Sequence, residues 1–439
     1  MAESEQTVIR SSVPAKQGRD FTITLPSSNG TYEAVAVLEH NEDAAQPPRL
    51  VKVTRRPVAP PNTASTAEKQ RTIHIILSVG SGHRKAEEFF EKAVNPLLSL
   101  LYRPEGSQIF QRHTTQSETS ILELTNDFLF PAANSGKPLR IILLSGDGGI
   151  VDLVNGLSSK PQSHEYVAPQ VTLLPLGTAN ALYHSINANA NANSSTENTW
   201  GLHALSSTTC KPLPFFTASF SPGARLLVDE ARAEEALPTD EQGNGKLHGA
   251  VVCSWGMHAS LVADSDSSEY RKFGIDRFKM AAKEALYPSD GSAPHAYKGR
   301  VSVLKRGDGG AGEWTPLPEQ EHMYVLATLV SNLEQPFCIS PASKPLDGSL
   351  HLVHFGPTSG DEAMRIMGLA YQGGKHVDDA AVRYEAIDGL RIQFDNGGEA
   401  DADGRWRRIC VDGKIVRVEK DGWVEIRREE RRLLDIVVA

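Results

Sequence analysis

The spacing of apolar positions changes repeatedly along the chain, and each change marks an element. His74 to Leu77 is a short apolar run. Behind it, Ala86, Phe89, Phe90, Ala93, Val94, Leu97 and Leu98 recur three and one apart, the stripe of an amphipathic helix. Arg140 to Leu144 is a second run of buried-strand length, with Ile150, Val151, Val154 and Leu157 following at helical spacing. Val171 to Leu174 is a third, and Ala181, Leu182 and Ile186 can start another helix. Between each run and its helix lies a glycine-bearing turn: Ser78-Val79-Gly80-Ser81-Gly82, Ser145-Gly146-Asp147-Gly148-Gly149, and Gly177-Thr178-Ala179-Asn180. Strand, turn and helix repeated in this way predict a parallel sheet covered on both faces. The carboxyl ends of such strands share one edge, so the three turns can converge there.

The flanking regions read differently. Phe21 to Leu25 and Tyr32 to Leu38 are candidate strands around the turn-like SSNG, and a Pro-, Thr- and Ala-rich linker follows at 57–68. Residues 1–68 therefore form an arm and linker, and 69–211 the α/β region. Within the latter, 187–199 is low in complexity and reads as an insertion. From 212 to 439 strand-like runs dominate, among them Gly249 to Ser254, Arg300 to Leu304, Tyr324 to Val330, Leu350 to Phe355, Leu390 to Phe394, Arg408 to Val411 and Trp423 to Ile426. Their density predicts an antiparallel β-sandwich. The terminal EIRREERRLLDIVVA reads as a last strand with a solvated or packed tail, the alternative being a segment that docks on anionic lipid.

Composition narrows the class. A chain of 439 residues has room for two cores, and a net charge of −9 disfavours a nucleic-acid-coating surface. Cys210, Cys253, Cys338 and Cys410 are far apart and form no CxxC spacing, which suits a reducing compartment. No stretch reaches the roughly 20 apolar residues of a membrane span. The start, MAESEQTVIRSS, lacks a hydrophobic signal core, so a cytoplasmic protein is expected.

The turns suggest a chemistry. Glycines let backbone approach a ligand, and a helix N-terminus offers N–H groups and partial positive charge to an anion. Asp147 is an odd residue to place beside phosphate unless it takes a proton from an attacking hydroxyl or orients magnesium. Standard nucleotide fingerprints do not fit: Gly80 and Gly82 are followed by His83, Arg84 and Lys85, which breaks GxGxxG, and the P-loop pattern is absent.

What the turns match, in order, is the lipid-kinase family that includes sphingosine and diacylglycerol kinases. SVGSGHRKA at 78–86 resembles its Asn-Pro-x-Ser-Gly loop, SGDGGIVDLVNGL its Gly-Gly-Asp-Gly motif and LLPLGTANAL its Gly-Thr-x-Asn motif. SWGMHASLVADSDSSEYRKFGIDRF at 254–278 resembles the substrate and phosphate segment of the sphingosine-kinase branch, and LDGSLHLVHFG and ICVDGKIV resemble its closing strands. The resemblance implies a NAD kinase/diacylglycerol kinase-like N-terminal lobe with a Rossmann-like sheet, a β-sandwich lipid-binding lobe, and transfer of the ATP γ-phosphate to the primary hydroxyl of a sphingoid long-chain base.

It also implies roles for individual residues. Asp147 would be the general base. Ser78, Val79, Gly80, Ser81, Gly82, Thr114, Ser145, Gly146, Gly148, Asp152, Gly177, Thr178, Asn180, Arg271, Arg277, Asp412 and Gly413 would hold ATP. Asp412 would support Mg2+, and Asp266 would read the ammonium and hydroxyl of the lipid head. The expected partners are the lipid substrate and, peripherally, a membrane surface, with no nucleic acid. Ser78 and Val79 replace the family's Asn and Pro, Asp152 replaces a glutamate, and Lys414 stands where an acid normally follows the glycine. The alternatives are a diacylglycerol or ceramide kinase, and a low-activity pseudokinase acting as a lipid-binding regulator.

Overall fold

The computed structural model describes residues 20–27, 30–58, 71–102, 110–187, 198–306, 312–394 and 404–439. The chain forms two compact units, one of Met1–Thr178, Asn189–Pro212 and Arg432–Ala439, the other of Ala179–Ala188 and Leu213–Arg431. Most of the linker at 57–68 and of the insertion at 187–199 lies outside the described residues.

In the first unit, β1 (Asp20–Pro26), β2 (Tyr32–Glu39) and β3 (Arg49–Pro57) make an antiparallel meander. The first two match the expected strands. The third escaped the sequence reading because its period-two pattern is masked by Lys52, Arg55 and Arg56. The meander is part of the first unit's core: Phe21, Ile23, Leu38 and Val53 pack in one cluster with Val94, Leu97 and Leu98, and the Tyr32 hydroxyl donates to the Leu100 carbonyl.

The main sheet runs β5 (Gln111–Thr114), β4 (Thr72–Leu77), β6 (Leu139–Ser145), β7 (Gln170–Pro175), the strand Asp435–Val437, then β8 (Cys210–Pro212). All pairings are parallel except the last. β6 is buried along its whole length, as its unbroken apolar run requires. Arg140 is the exception in that run, and its guanidinium donates to the carbonyls of Ala204 (2.7 Å), Ser207 (2.9 Å) and Leu205 (3.2 Å). The chain's end departs from the expected boundary at 212–439: Ile436 pairs with Val171 of β7, so the last apolar residues complete the first unit's sheet.

Two helices carry the unit's faces, over 86–102 and 120–134, and each contains a π-helical turn, Phe90–Val94 and Thr125–Leu129. The cause is shared. Pro96 and Pro131 follow within two residues of each turn and lack the N–H that an α-helix needs at that place, so the hydrogen-bond ladder widens by one residue.

The second unit is all antiparallel, with an eight-stranded sheet and a six-stranded sheet. Ala218, Val303 and Ile426 of the smaller sheet meet Trp255, Val325 and Val411 of the larger in one core, giving the expected sandwich. Trp255 anchors it, edge-on to Tyr297 and Phe394, with its indole N–H donating to the Trp406 carbonyl at 2.8 Å. The expected strand from Gly249 to Ser254 proves to be the end of one strand, Gly245–Gly249, and the start of another, Val252–Gly256. Helices Met257–Asp264, Ser268–Arg271 and Asp276–Leu286 interrupt the β pattern in the segment that carries Asp266.

Candidate active site

The first unit gathers four loops at the carboxyl edge of its sheet. The register places Leu77 of β4 beside Leu144 of β6 and Thr114 of β5, and Ser145 beside Pro175 of β7. The turns are therefore side by side, and they are laced together. The Ser78 and Ser81 hydroxyls are 2.7 Å apart, Ser81 lies 3.4 Å from the Ser145 hydroxyl, and the Ser78 and Leu176 N–H groups donate to the carbonyls of Leu144 and Ser145. Val79 N–H donates to the Thr115 hydroxyl at 3.2 Å. Sequence reasoning named Thr114, which is the last residue of the strand. The residue whose side chain fixes the first loop is its neighbour, and only the pairing of β5 with β4 distinguishes the two.

Glycine is required where the turns touch. Gly82 has φ +48°, and a Cβ there would lie 2.5 Å from the Leu176 carbonyl oxygen and 2.9 Å from that of Gly177. A Cβ at Gly149 would meet the Ser145 hydroxyl at 2.6 Å. At Gly80 and Gly148, by contrast, it would meet nothing within 4 Å. The loops are close-packed against one another on one side and open on the other, which fits backbone that must approach a phosphate chain.

Gly146, in extended backbone, is the N-cap of the helix Asp147–Ser158 and, being glycine, offers no side chain to the first turn. Asp147 is the first helical residue and half-buried, with Gly148 exposed beside it. Asp152, one turn on, is buried at 7 % exposure and so lies within the fold, beneath the open edge. Gly177 and Thr178 are half-buried in the third turn, after which Asn180 takes a left-handed conformation (φ 53°) at the head of the helix Ala181–Ile186 in the second unit. Among the described residues no group of three or more His, Cys, Asp or Glu could hold a metal. Magnesium delivered on phosphates needs only one or two protein carboxylates, and Asp147 is the one the turns present.

In the second unit, three predicted residues form one cluster. Asp266 accepts from Arg271 Nε (3.1 Å) and Nη2 (2.9 Å) and from Arg277 Nη1 (3.2 Å). The sequence expectation gave the carboxylate to a lipid head and the guanidiniums to phosphates, but here they satisfy one another. Burial pushes the Arg277 pKa down, and Asp266 opposes the shift. Arg277 also lies over the Phe278 ring at 4.8 Å. Nearby, Asp264 accepts from Arg405 (3.1 Å) and Arg408 (2.9 Å). Ser254 and His258 share a 2.7 Å hydrogen bond, and burial holds the His258 pKa down to about 4. Neither Ser254 nor His258 was singled out from sequence.

Asp412 and Gly413 have a structural role that the sequence did not announce. They are the two central residues of a tight hairpin between the strands Arg408–Val411 and Lys414–Arg417, with φ of 48° and 89°, the conformation for which Asp-Gly is the favoured pair. The Asp412 carboxylate accepts backbone N–H groups from Ala250 (2.5 Å), Val251 (3.1 Å) and Val252 (2.5 Å). Both oxygens take part in clamping two strands, a structural role that stands beside the metal-supporting and nucleotide-holding roles expected for this pair. Lys414 closes the same hairpin opposite Val411, so its departure from the family pattern falls on a turn.

Residues 72–209 match the sequence model of the family described as the diacylglycerol kinase catalytic domain. Sphingosine kinase 1 of Rattus norvegicus is 24% identical over 329 residues, covering 69% of this chain and 77% of that protein, and the Homo sapiens protein of the same name is 23% identical over the same shares. Sphingosine kinase 2 of Arabidopsis thaliana is 22% identical over 54% of this chain and 40% of its own. Among solved structures, a putative diacylglycerol kinase from Bacillus anthracis str. Sterne superposes with a TM-score of 0.54 over 86% of this chain and 99% of that one, at 12% identity, a likeness of fold. The family match lies on the unit that gathers the turns, and the sphingosine-kinase likeness extends well beyond it. Residues 72–209 thus carry a diacylglycerol kinase catalytic domain, in a chain that is similar to sphingosine kinases over 69% of its length.

Proposed function

We propose that this lipid kinase transfers the γ-phosphate of ATP to the primary hydroxyl of a sphingoid long-chain base. The observation that carries the reading is the convergence of the three glycine turns beside Asp147, at the first turn of its helix. The turns' backbone and the helix N-terminus suit the phosphates of a nucleotide. Asp147 is the carboxylate available to take the proton of the attacking hydroxyl, and the phosphoryl transfer itself needs little beyond positioning and charge. Magnesium bound to the phosphates would supply charge neutralisation at the transferring group.

The choice of a sphingoid base rests on the likeness to sphingosine kinases and on Asp266. A carboxylate keeps acceptor capacity after two guanidiniums have bound it, and a lipid ammonium would join the cluster through a charge-assisted bond. A second reading has its own support. Because Asp266 already has two arginine partners, it is less available to an ammonium, which favours a neutral head such as diacylglycerol or ceramide. Phosphate transfer from labelled Mg-ATP to sphingosine, ceramide and diacylglycerol in matched micelles decides between them. At least tenfold preference for sphingosine is expected, and equal efficiencies would overturn the sphingoid assignment.

A further inference from the structure

At the amino edge of the first unit's sheet, opposite the glycine turns, lies a cavity of about 400 Å³ that the kinase reading does not use. Its floor is the start of the parallel strands, Thr72 and His74 of β4 and Gln111 of β5, and its wall is Phe128, Pro131 and Ala132 of the helix over 120–134. The π-helical turn Thr125–Leu129 carries Phe128 on this wall, 42 % exposed, with its ring centroid 5.3 Å from that of His74. His74 is fully buried. Its Nδ1 shares a 3.1 Å hydrogen bond with His113 Nε2, the two rings stack within 11°, and its Nε2 has no hydrogen-bond partner.

We propose that this cavity is a second binding site, for a neutral planar nitrogen heterocycle of nucleobase size. Three observations define the ligand. The volume falls in the range of small-molecule sites, about 300–1,000 Å³. Phe128, exposed on the wall, offers a π-face on which a flat ring stacks and an aliphatic chain does not. The orphaned His74 Nε2 asks for one hydrogen-bonding ring atom, and the shared proton lets it act either way. With the proton on His113 Nε2, the neutral His74 carries its own on Nε2 and donates; with the proton on Nδ1, Nε2 accepts. The Gln111 amide adds a donor and an acceptor on the same floor. Charge gives no preference for an ion, since Asp127 and Lys137 on the rim have opposite signs and no ion-pair partner among the described residues. Burial, followed by the neighbouring His113, keeps His74 uncharged by holding its pKa at about 4.

The test is calorimetric titration of the full chain with benzimidazole, with and without saturating Mg-ATP. Saturable 1:1 binding is expected, unchanged by ATP. Phe128→Ala, an exposed position that leaves the fold intact, should weaken binding at least tenfold, and His74→Phe should do the same while preserving the ring stack. Histidine 15N spectra should show the His74 Nε2 signal moving on titration. Absence of saturable binding at millimolar benzimidazole, displacement by ATP, or an undiminished affinity in Phe128→Ala would each overturn the proposal. The ATP arm separates this site from the nucleotide loops, so failure here leaves the kinase reading standing.

Discussion

Asp412→Ala separates a structural from a metal-binding role, and its magnitude can be worked from the hydrogen bonds. The carboxylate holds three backbone N–H groups, those of Ala250, Val251 and Val252, whose residues are only 1–5 % exposed. A buried donor left without a partner costs about 1–3 kcal/mol. Asp412 itself is half-buried, so water can replace the acceptor for some of the three, and the expected loss is about 2–5 kcal/mol. The left-handed backbone at φ 48° adds about 1 kcal/mol against alanine, which lacks the short polar side chain that tolerates it. At roughly 2–4 °C per kcal/mol for a domain of this size, Tm should fall by about 6–24 °C. Differential scanning calorimetry without magnesium reads this directly. If Asp412 served chiefly as a metal ligand, Tm in metal-free buffer would hold and half-maximal activity would need more magnesium. A Tm within 2 °C of wild type together with that raised requirement would refute the clamp. Asp412→Asn keeps the volume but turns one acceptor into a donor facing N–H groups, so it should fall between wild type and alanine.

Four further outcomes are expected. Asp147→Asn should keep the wild-type Tm and lose about two to four orders of magnitude in lipid phosphorylation, and retention of a tenth of the turnover would remove it as the base. Gly82→Ala forces a Cβ to 2.5 Å from the Leu176 carbonyl oxygen at a left-handed φ, so urea denaturation should show a loss of about 1–3 kcal/mol with weaker ATP binding; unchanged values for both would mean the loops are not in contact. Asp266→Ala should erase most of any preference for sphingosine over diacylglycerol, and an unaltered ratio of kcat/KM would exclude it from head-group recognition. Burial, and secondarily His322, holds the His354 pKa at about 4, below its ordinary 6.5. With the folded value depressed, its contribution of up to about 3 kcal/mol is complete above pH 6.5 and is lost as pH falls through 4. His354→Gln should therefore flatten the acid limb of a Tm-versus-pH curve, which a curve parallel to wild type would contradict.

The parts of the fold that could be read from sequence are those whose cause is local. Each glycine turn sits between its own strand and helix, so the pattern that predicts it and the contacts that form it lie within about twenty residues. The two π-helical turns were equally local in cause, since Pro96 and Pro131 stand in plain sight, but an apolar stripe spaced three and one apart is the same for a π-turn as for an α-helix and does not reveal the widened ladder. Strand β5 was barely visible: Gln-Arg-His-Thr has no apolar face, and it pairs because β4 supplies a parallel edge. The terminal strand needed a partner some 265 residues away, Ile436 on Val171, for which the sequence holds no marker beyond a short apolar run.

The hairpin at Asp412 is the instructive case, because a local signal was present and was outweighed. Asp-Gly between the runs Arg-Ile-Cys-Val and Lys-Ile-Val-Arg is among the strongest short-range signs of a two-residue hairpin, and it accounts for both residues without any ligand. Family likeness instead gave Asp412 to magnesium and made Lys414 a repelling charge beside it. The clamp partners lie about 160 residues upstream, beyond what a motif can show, yet the turn alone sufficed to ask whether the carboxylate was free for metal. The same question applies to Asp147. Asp147 is half-buried at the first turn of its helix, where the dipole favours an acid, and Gly148 beside it is open. If Asp147→Asn lowers Tm along with turnover, the acid serves the helix; if turnover alone falls, it serves the chemistry.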